Sequence, residues 1–338
     1  MTDDRSILRW GIVGAGDIAH RVMAPAMSAA PDHDLVAVCR RDRKSAEEFA
    51  AVHGARRAYD SVEALLHDPE IDAVYVATPV ARHRPDTLAA AANGKHVLCE
   101  KPMALDVAEG EAMRAACGEV GVQLMICFYQ RFSARHQRIK ELLAAGTIGR
   151  VTAVRMNFSG RSPDRPGAWR QDRGQAGGGC YIDNASHCID LLRFLFGEIV
   201  AANAFVDTLA AHYQVEDTAT SILRLATGAH AVVTSYWSSG DPDEQRNSLI
   251  EILGTDGAIV SAPLHDKFSR GRLSIATRAG ERVETFEAST HVAVLGEFAA
   301  ALAERRPPAV TAEDGIAALR VVGAVYESAR TGRVVQCA

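Results

Sequence analysis

The chain of 338 residues is 48% hydrophobic and 23% charged, with a formal net charge of −5. That length is ample for two domains, and the composition is that of an ordinary soluble globular protein. Mild acidity without a block of like charge argues against a nucleic-acid or membrane-surface role, and no apolar run approaches the roughly 20 residues that cross a bilayer.

The opening stretch "MTDDRSILRWGIVGAG" is acidic, has neither a charged-then-apolar leader pattern nor a twin arginine, and runs directly into a strand. Residues 7–13 read as that strand, buried. A helix follows, which Pro25 must kink or restart because it lacks an N–H donor. Strands at 34–39, 72–78, 96–100 and 122–128 then alternate with helices. These are "KSAEEFAAVHG" ending at Gly54, "SVEALLHD" with a serine cap, 83–93 closed by Asn93-Gly94, and 106–120. Such alternation predicts βαβ units and a parallel sheet covered on both faces.

After about residue 150 the pattern changes. A long alternating segment, "VTAVRMNFSG", leads to a polar loop rich in Gly, Arg and Pro and then to "GGGCYIDNASHCIDLLRFLFG". Strand-like runs at 199–207, 218–226, 229–238, 247–254 and 271–277 follow without a long helix, which predicts an open, antiparallel sheet. Helices near 292–304 and 313–330 close the chain. The domain boundary falls within 126–150. Seven cysteines, at 39, 99, 117, 127, 180, 188 and 337, form no Cys-x-x-Cys and read as reduced thiols of a cytoplasmic protein.

Gly14, Gly16 and Ala19 form G-x-G-x-x-A where the first strand opens the first helix, as dinucleotide binding requires. Gly14 permits the tight turn, and Gly16 lets a pyrophosphate reach the backbone. The helix start at Asp17 and Ile18 offers free N–H groups to the phosphates. The second strand ends at "VCRRDR". Arg40 and Arg41 there suit a ribose 2′-phosphate, hence NADP, with NAD as the alternative. Asp42 two residues on is a competing ribose ligand, and two solvated arginines are the plain alternative. Glu100-Lys101-Pro102 lies at the carboxyl end of a strand, where open α/β sheets bind ligands. Asp183, His187 and Asp190 fall on one stripe if their segment is an α-helix. A metal site, an acid–base pair and a satisfied core histidine all fit that stripe. The spacing of Cys180, His187 and Cys188 matches no usual zinc pattern, and no metal is assigned.

With these motifs in this order, the chain resembles the Gfo/Idh/MocA oxidoreductases. The resemblance rests on "WGIVGAGDIA", "VATPVARHRPDTLAAAANGKHVLCEKPMAL", "FYQRFSARHQRIKELLAAGTIGRV" and "GGGCYIDNASHCIDLLRFLFGE" and covers nearly the whole chain. It implies a Rossmann dinucleotide-binding domain over 1–126 and an α/β domain over 127–338 with a large, mostly antiparallel open sheet. It implies catalytic positions at Lys101, Asp183 and His187, and a cofactor bordered by Thr78, Pro79, His83, Glu100, Lys101, Trp169 and Arg170. Tyr129, Arg170, Asp183 and His187 are implied on the substrate side, with Tyr129 standing where many relatives carry Asn.

The implied activity is metal-free hydride transfer between NADP and a secondary alcohol or ketone of a sugar, polyol or sugar derivative. His187 would be the base and Lys101 the charge that steadies an alkoxide. An imidazole ordinarily titrates near about 6.5, which suits that role. Asp190 pairs with an arginine such as Arg193 in this reading and takes no part in the chemistry. The glycines at 177–179 let the backbone pass close to bound ligands. The Arg-rich loop 159–176 either meets an anionic substrate or is simply solvated. The resemblance also implies a homodimer or homotetramer formed through the open sheet. A non-catalytic NADP-binding regulator and a redox-assisted glycosidase are the competing functions on this fold.

Overall fold

The computed structural model describes residues 7–238, 240, 248–264, 271–287 and 290–337. The acidic residues 1–6 and residue 247, at the start of one expected strand, lie outside them. Packing divides the chain into two compact units. One comprises residues up to Cys127 together with His291–Ile316; the other comprises Phe128–Thr290 and the chain from Ala317 on.

The first unit holds β1 (Leu8–Val13), β2 (His33–Cys39), β3 (Arg57–Tyr59), β4 (Ala73–Val76), β5 (His96–Cys99) and β6 (Leu124–Ile126). Their order is β3-β2-β1-β4-β5-β6, parallel throughout. All four side chains of β4 are buried, as a strand covered on both faces requires. Asp42 and Asp106 cap the helices Arg43–His53 and Val107–Val120 at their start, and Gly54 and Gly121 end them. The helix after β1 restarts as expected at Pro25. A π-turn over Ala19–Met23, in which Ala24 N–H reaches Ala19 O, precedes the α-helix Ala24–Ala29. The segment His291–Ile316, assigned from sequence to the 127–338 region, packs with this unit. The contact is apolar: fully buried Trp10 meets Phe298 with ring centroids 5.3 Å apart.

The second unit holds β7 (Val151–Ser159), β8 (Ile199–Asp207), β9 (Thr218–Leu225), β10 (His230–Tyr236), β11 (Leu249–Gly254), β12 (Gly257–Ala262), β13 (Gly271–Thr277), β14 (Gly280–Phe286) and β15 (Val335–Gln336). They form one sheet in the order β14-β13-β12-β11-β7-β10-β9-β8-β15. Every pair is antiparallel except β7–β10. A parallel pair needs a long crossover, and here it contains a helix and the β8–β9 hairpin. One face is core: Val154, Met156 and Phe158 alternate inward along β7. The other face is open. Its register aligns Val283, Ser274, Val260, Glu251, Arg155, Val232, Ile222 and Asn203 in one row, all exposed or half-buried. Among the described residues no helix is long and apolar enough to cross a membrane.

Candidate active site

In the first unit the sheet order reverses between β1 and β4, which opens a crevice at their carboxyl ends. Gly14 turns the chain there with φ +91°, and a Cβ on it would press to 2.7 Å on the backbone of Ala77 and Thr78. The N–H groups of Gly14 and Ala15 donate to Cys39 O, both at 3.1 Å, which ties the turn to the end of β2. Gly16 is different. A Cβ there would meet only Gly14 O, at 3.9 Å, so the approach to the backbone is open. The helix N-terminus at Asp17 and Ile18 follows immediately, and its first N–H groups have no intrahelical acceptor. These residues fit a dinucleotide pyrophosphate. Arg40 and Arg41 are both exposed at the end of β2. Asp42 is engaged otherwise: its carboxylate accepts Ser45 N–H at 2.8 Å as a helix cap, which holds its carboxyl below the usual range.

Thr78 and Pro79 are half-buried beyond β4. The Thr78 hydroxyl donates to Asp86 at 2.9 Å. His83 is only 1% exposed, with Nε2 2.9 Å from Thr78 O and Nδ1 3.0 Å from Pro102 O. It braces the loops after β4 and β5 from within. Burial pushes its imidazole down, against the pull of the two carbonyls and of Glu100 and Asp86. Glu100 accepts the Tyr75 hydroxyl at 2.6 Å and the Lys101 N–H at 3.2 Å, which anchors the half-buried Lys101.

In the second unit the expected single helix is two pieces: a π-turn over Tyr181–Ala185 and an α-helix over Ser186–Phe196. Asp183 lies in the turn, and His187 and Asp190 lie in the helix, so each meets a different partner. Asp183 faces Arg170 Nε at 3.6 Å, while the Arg170 guanidinium stacks 4.3 Å over Trp169. Gln171, buried beside them, organises the Arg-rich loop by accepting Arg165 N–H and donating to Ser162 and Pro163. His187 is 3% exposed and sits among aromatic rings. Phe158 lies parallel to it at 5.8 Å, Tyr129 edge-on at 4.9 Å, and Phe128 at 6.2 Å. Tyr129 is therefore a wall of the histidine's cage.

Asp190 takes a bidentate bond from Arg131 (Nε to both oxygens at 3.0 Å, Nη2 at 2.6 Å), a pairing across 59 residues that helix-local spacing toward Arg193 did not disclose. Phe158 was findable, because it continues the inward alternation of β7. The Arg131 pairing left no local signal.

The family comparison places both units. Residues 8–128 match the model described as "Oxidoreductase family, NAD-binding Rossmann fold", and residues 136–260 match the "GFO/IDH/MocA C-terminal domain". The chain belongs to the Gfo/Idh/MocA oxidoreductase family. It is 30% identical to a 1,5-anhydro-D-fructose reductase of Ensifer adhaerens, over 97% of this chain and 98% of that one. It is 32% identical to D-xylose 1-dehydrogenase (NADP(+)) 2 of Haloferax volcanii, over 97% and 99%. Among solved structures, aldose-aldose oxidoreductase from Caulobacter crescentus, complexed with glycerol, superposes with a TM-score of 0.88. It shares 30% identity, covering 97% of this chain and 99% of that chain. Family membership makes this an oxidoreductase with an NAD-binding Rossmann domain followed by a mixed, mostly antiparallel α/β domain.

Proposed function

We propose that this family member is an NADP-dependent enzyme that interconverts a secondary alcohol and a ketone on a sugar, polyol or sugar derivative. The observation that carries the reading is the pair Asp183 and His187, the first held by Arg170 and the second caged by Phe158 and Tyr129. The sugar names of its relatives support the substrate class. When bound, the nicotinamide supplies the hydride acceptor at its C4 carbon.

His187 takes the hydroxyl proton as the C–H electron pair leaves the same carbon. The C=O bond forms from the oxygen's electrons. The Lys101 ammonium steadies the negative charge that builds on that oxygen, where a water-poor setting magnifies its effect. Asp183 orients the imidazole or the substrate. In the reverse direction His187 returns the proton. Turnover of nicotinamide absorbance with NADP, then NAD, against sugars, inositols and keto-sugars in both directions tests this. No turnover with any of them counts against the reading.

Arg40 and Arg41 support NADP over NAD, since Asp42 is occupied as a cap. Arg40→Asp removes a charge-assisted contact worth about 1.5–3 kcal/mol, so kcat/KM for NADP falls about 10- to 100-fold and that for NAD does not. A wild-type enzyme that prefers NAD would end this part of the reading.

The open face of the second sheet supports a homodimer or homotetramer. Phe205 is 77% and Ile222 55% exposed, on the same side of the sheet, and such apolar surface marks interfaces. Phe205→Glu combined with Ile222→Glu shifts the protein to monomer in sedimentation or light-scattering measurements. A wild-type monomer contradicts the assignment. The seven cysteines stand as free thiols, six of them buried, which accords with a reducing compartment such as the cytoplasm.

A further inference from the structure

We propose that Glu216 and Tyr326 are positioning residues that set the register of the segment carrying Asp183 and His187. The inference rests on the reading of that pair as the reacting groups. Glu216 is 3% exposed and holds the start of the π-turn twice. Its backbone oxygen accepts Cys180 N–H at 3.0 Å, and its Oε1 accepts Tyr181 N–H at 3.0 Å. These are N–H groups that a helix start leaves without intrahelical partners. The same Oε1 accepts the Tyr326 hydroxyl at 2.7 Å, from the helix Ala312–Thr331. Burial and the nearby Glu216 raise the Tyr326 phenol well above its ordinary value, so it remains a donor.

The glycines 178 and 179 belong to this clamp. A side chain on Gly178 would collide with Tyr326 Oη, and one on Gly179 with the Glu216 carbonyl oxygen. The close approach anticipated toward bound ligands is made toward the protein's own residues.

The surroundings fix the clamp in place. Ser235 Oγ donates to Cys180 O at 2.8 Å, and the Tyr181 and Ser221 hydroxyls meet at 2.7 Å. The neighbouring Asp217, fully buried, accepts the N–H groups of Leu209, Ala210 and Ala211. Burial alone would raise its carboxyl, but these donors hold it low. Glu216 Oε2, by contrast, is buried without a hydrogen-bond partner. An unmatched buried oxygen is a cost to stability, so the bonds at Oε1, and not this oxygen, give Glu216 its task.

That task follows from helix geometry. A π-turn holds one residue more than an α-turn. Relaxation to α register would change the angle between Asp183 and His187 by several tens of degrees, about 18° for each residue step inside the turn. The clamp thereby sets the mutual aim of the two side chains.

The test compares Tyr326→Phe, Glu216→Ala and Glu216→Gln with His187→Asn, each rate expressed per folded enzyme and paired with the NADP Kd from protein fluorescence. The clamp predicts kcat lowered about 10-fold or more in Tyr326→Phe and Glu216→Ala, with NADP Kd unchanged, because misaimed groups lose rate and not cofactor affinity. Glu216→Gln keeps an acceptor at Oε1 and recovers most of the rate. If Glu216→Ala does not fold, Tyr326→Phe, which removes one oxygen, decides alone. Wild-type kcat in the clamp variants beside an inactive His187→Asn overturns the clamp and leaves the reacting pair standing. Full activity in His187→Asn overturns the reacting pair and the clamp with it.

Discussion

His187→Asn lowers kcat by on the order of 100-fold or more while the Kd for NADP stays near wild type, since a lost general base typically costs that much. The ring is enclosed by Phe158, Tyr129 and Phe128, and an asparagine occupies less of that cage without introducing charge. The fingerprint turn at Gly14 and Gly16 belongs to the other unit, so pyrophosphate binding is untouched. A structural histidine would show the reverse pattern: weaker folding with kcat per folded molecule preserved. Steady-state rates with the best substrate of the sugar panel, together with urea midpoints, separate the two outcomes.

Asp190→Ala destabilises the second unit by about 3–5 kcal/mol, the typical effect of stripping one partner from a buried ion pair. Asp190 is 1% and the Arg131 side chain 10% exposed, and the bond between them is bidentate. Removing the carboxylate leaves a guanidinium in a place water scarcely reaches. The pair joins the short turn Tyr129–Phe132 to the helix that carries His187, so the loss loosens the cage from two sides. The double replacement Arg131→Met with Asp190→Leu removes both charges and keeps volume, and it is expected to recover much of the loss. Urea unfolding followed by far-UV dichroism reads both effects. An Asp190→Ala variant within about 1 kcal/mol of wild type would show the pair to be solvent-screened.

Much of the fold was legible because local chemistry wrote it. The capped helices at Asp42–Gly54 and Asp106–Gly121 and the apolar runs of β1, β2, β4 and β5 announce a parallel sheet in short-range terms. Elements without that signature were missed. β3 is three residues long, and β14 is an edge strand reading "GERVETF", charged and mostly exposed, with no inward alternation to detect. β12 begins directly after the Thr255-Asp256 turn, and its run "GAIVSA" is too short to separate from a loop.

The site divides in the same way. Lys101, Asp183 and His187 stood out because their motifs are contiguous. Glu216 and Tyr326, 35 and 110 residues from their partners, and Arg131, 59 from Asp190, leave no periodic trace. The π-turn was unreadable for a related reason. Its register is set by Glu216, from outside the segment whose spacing suggested an α-helix.

The account stands or falls on whether Lys101 and His187 serve one transition state. A double-mutant cycle in kcat/KM, using Lys101→Ala, His187→Asn and the double variant, measures that directly. Groups that act as a unit lose most of their effect with the first deletion, so the double variant should be scarcely slower than the worse single one. Losses that multiply would show the two residues to contribute independently and not as a unit, and a single variant at wild-type rate would remove that residue from the reaction.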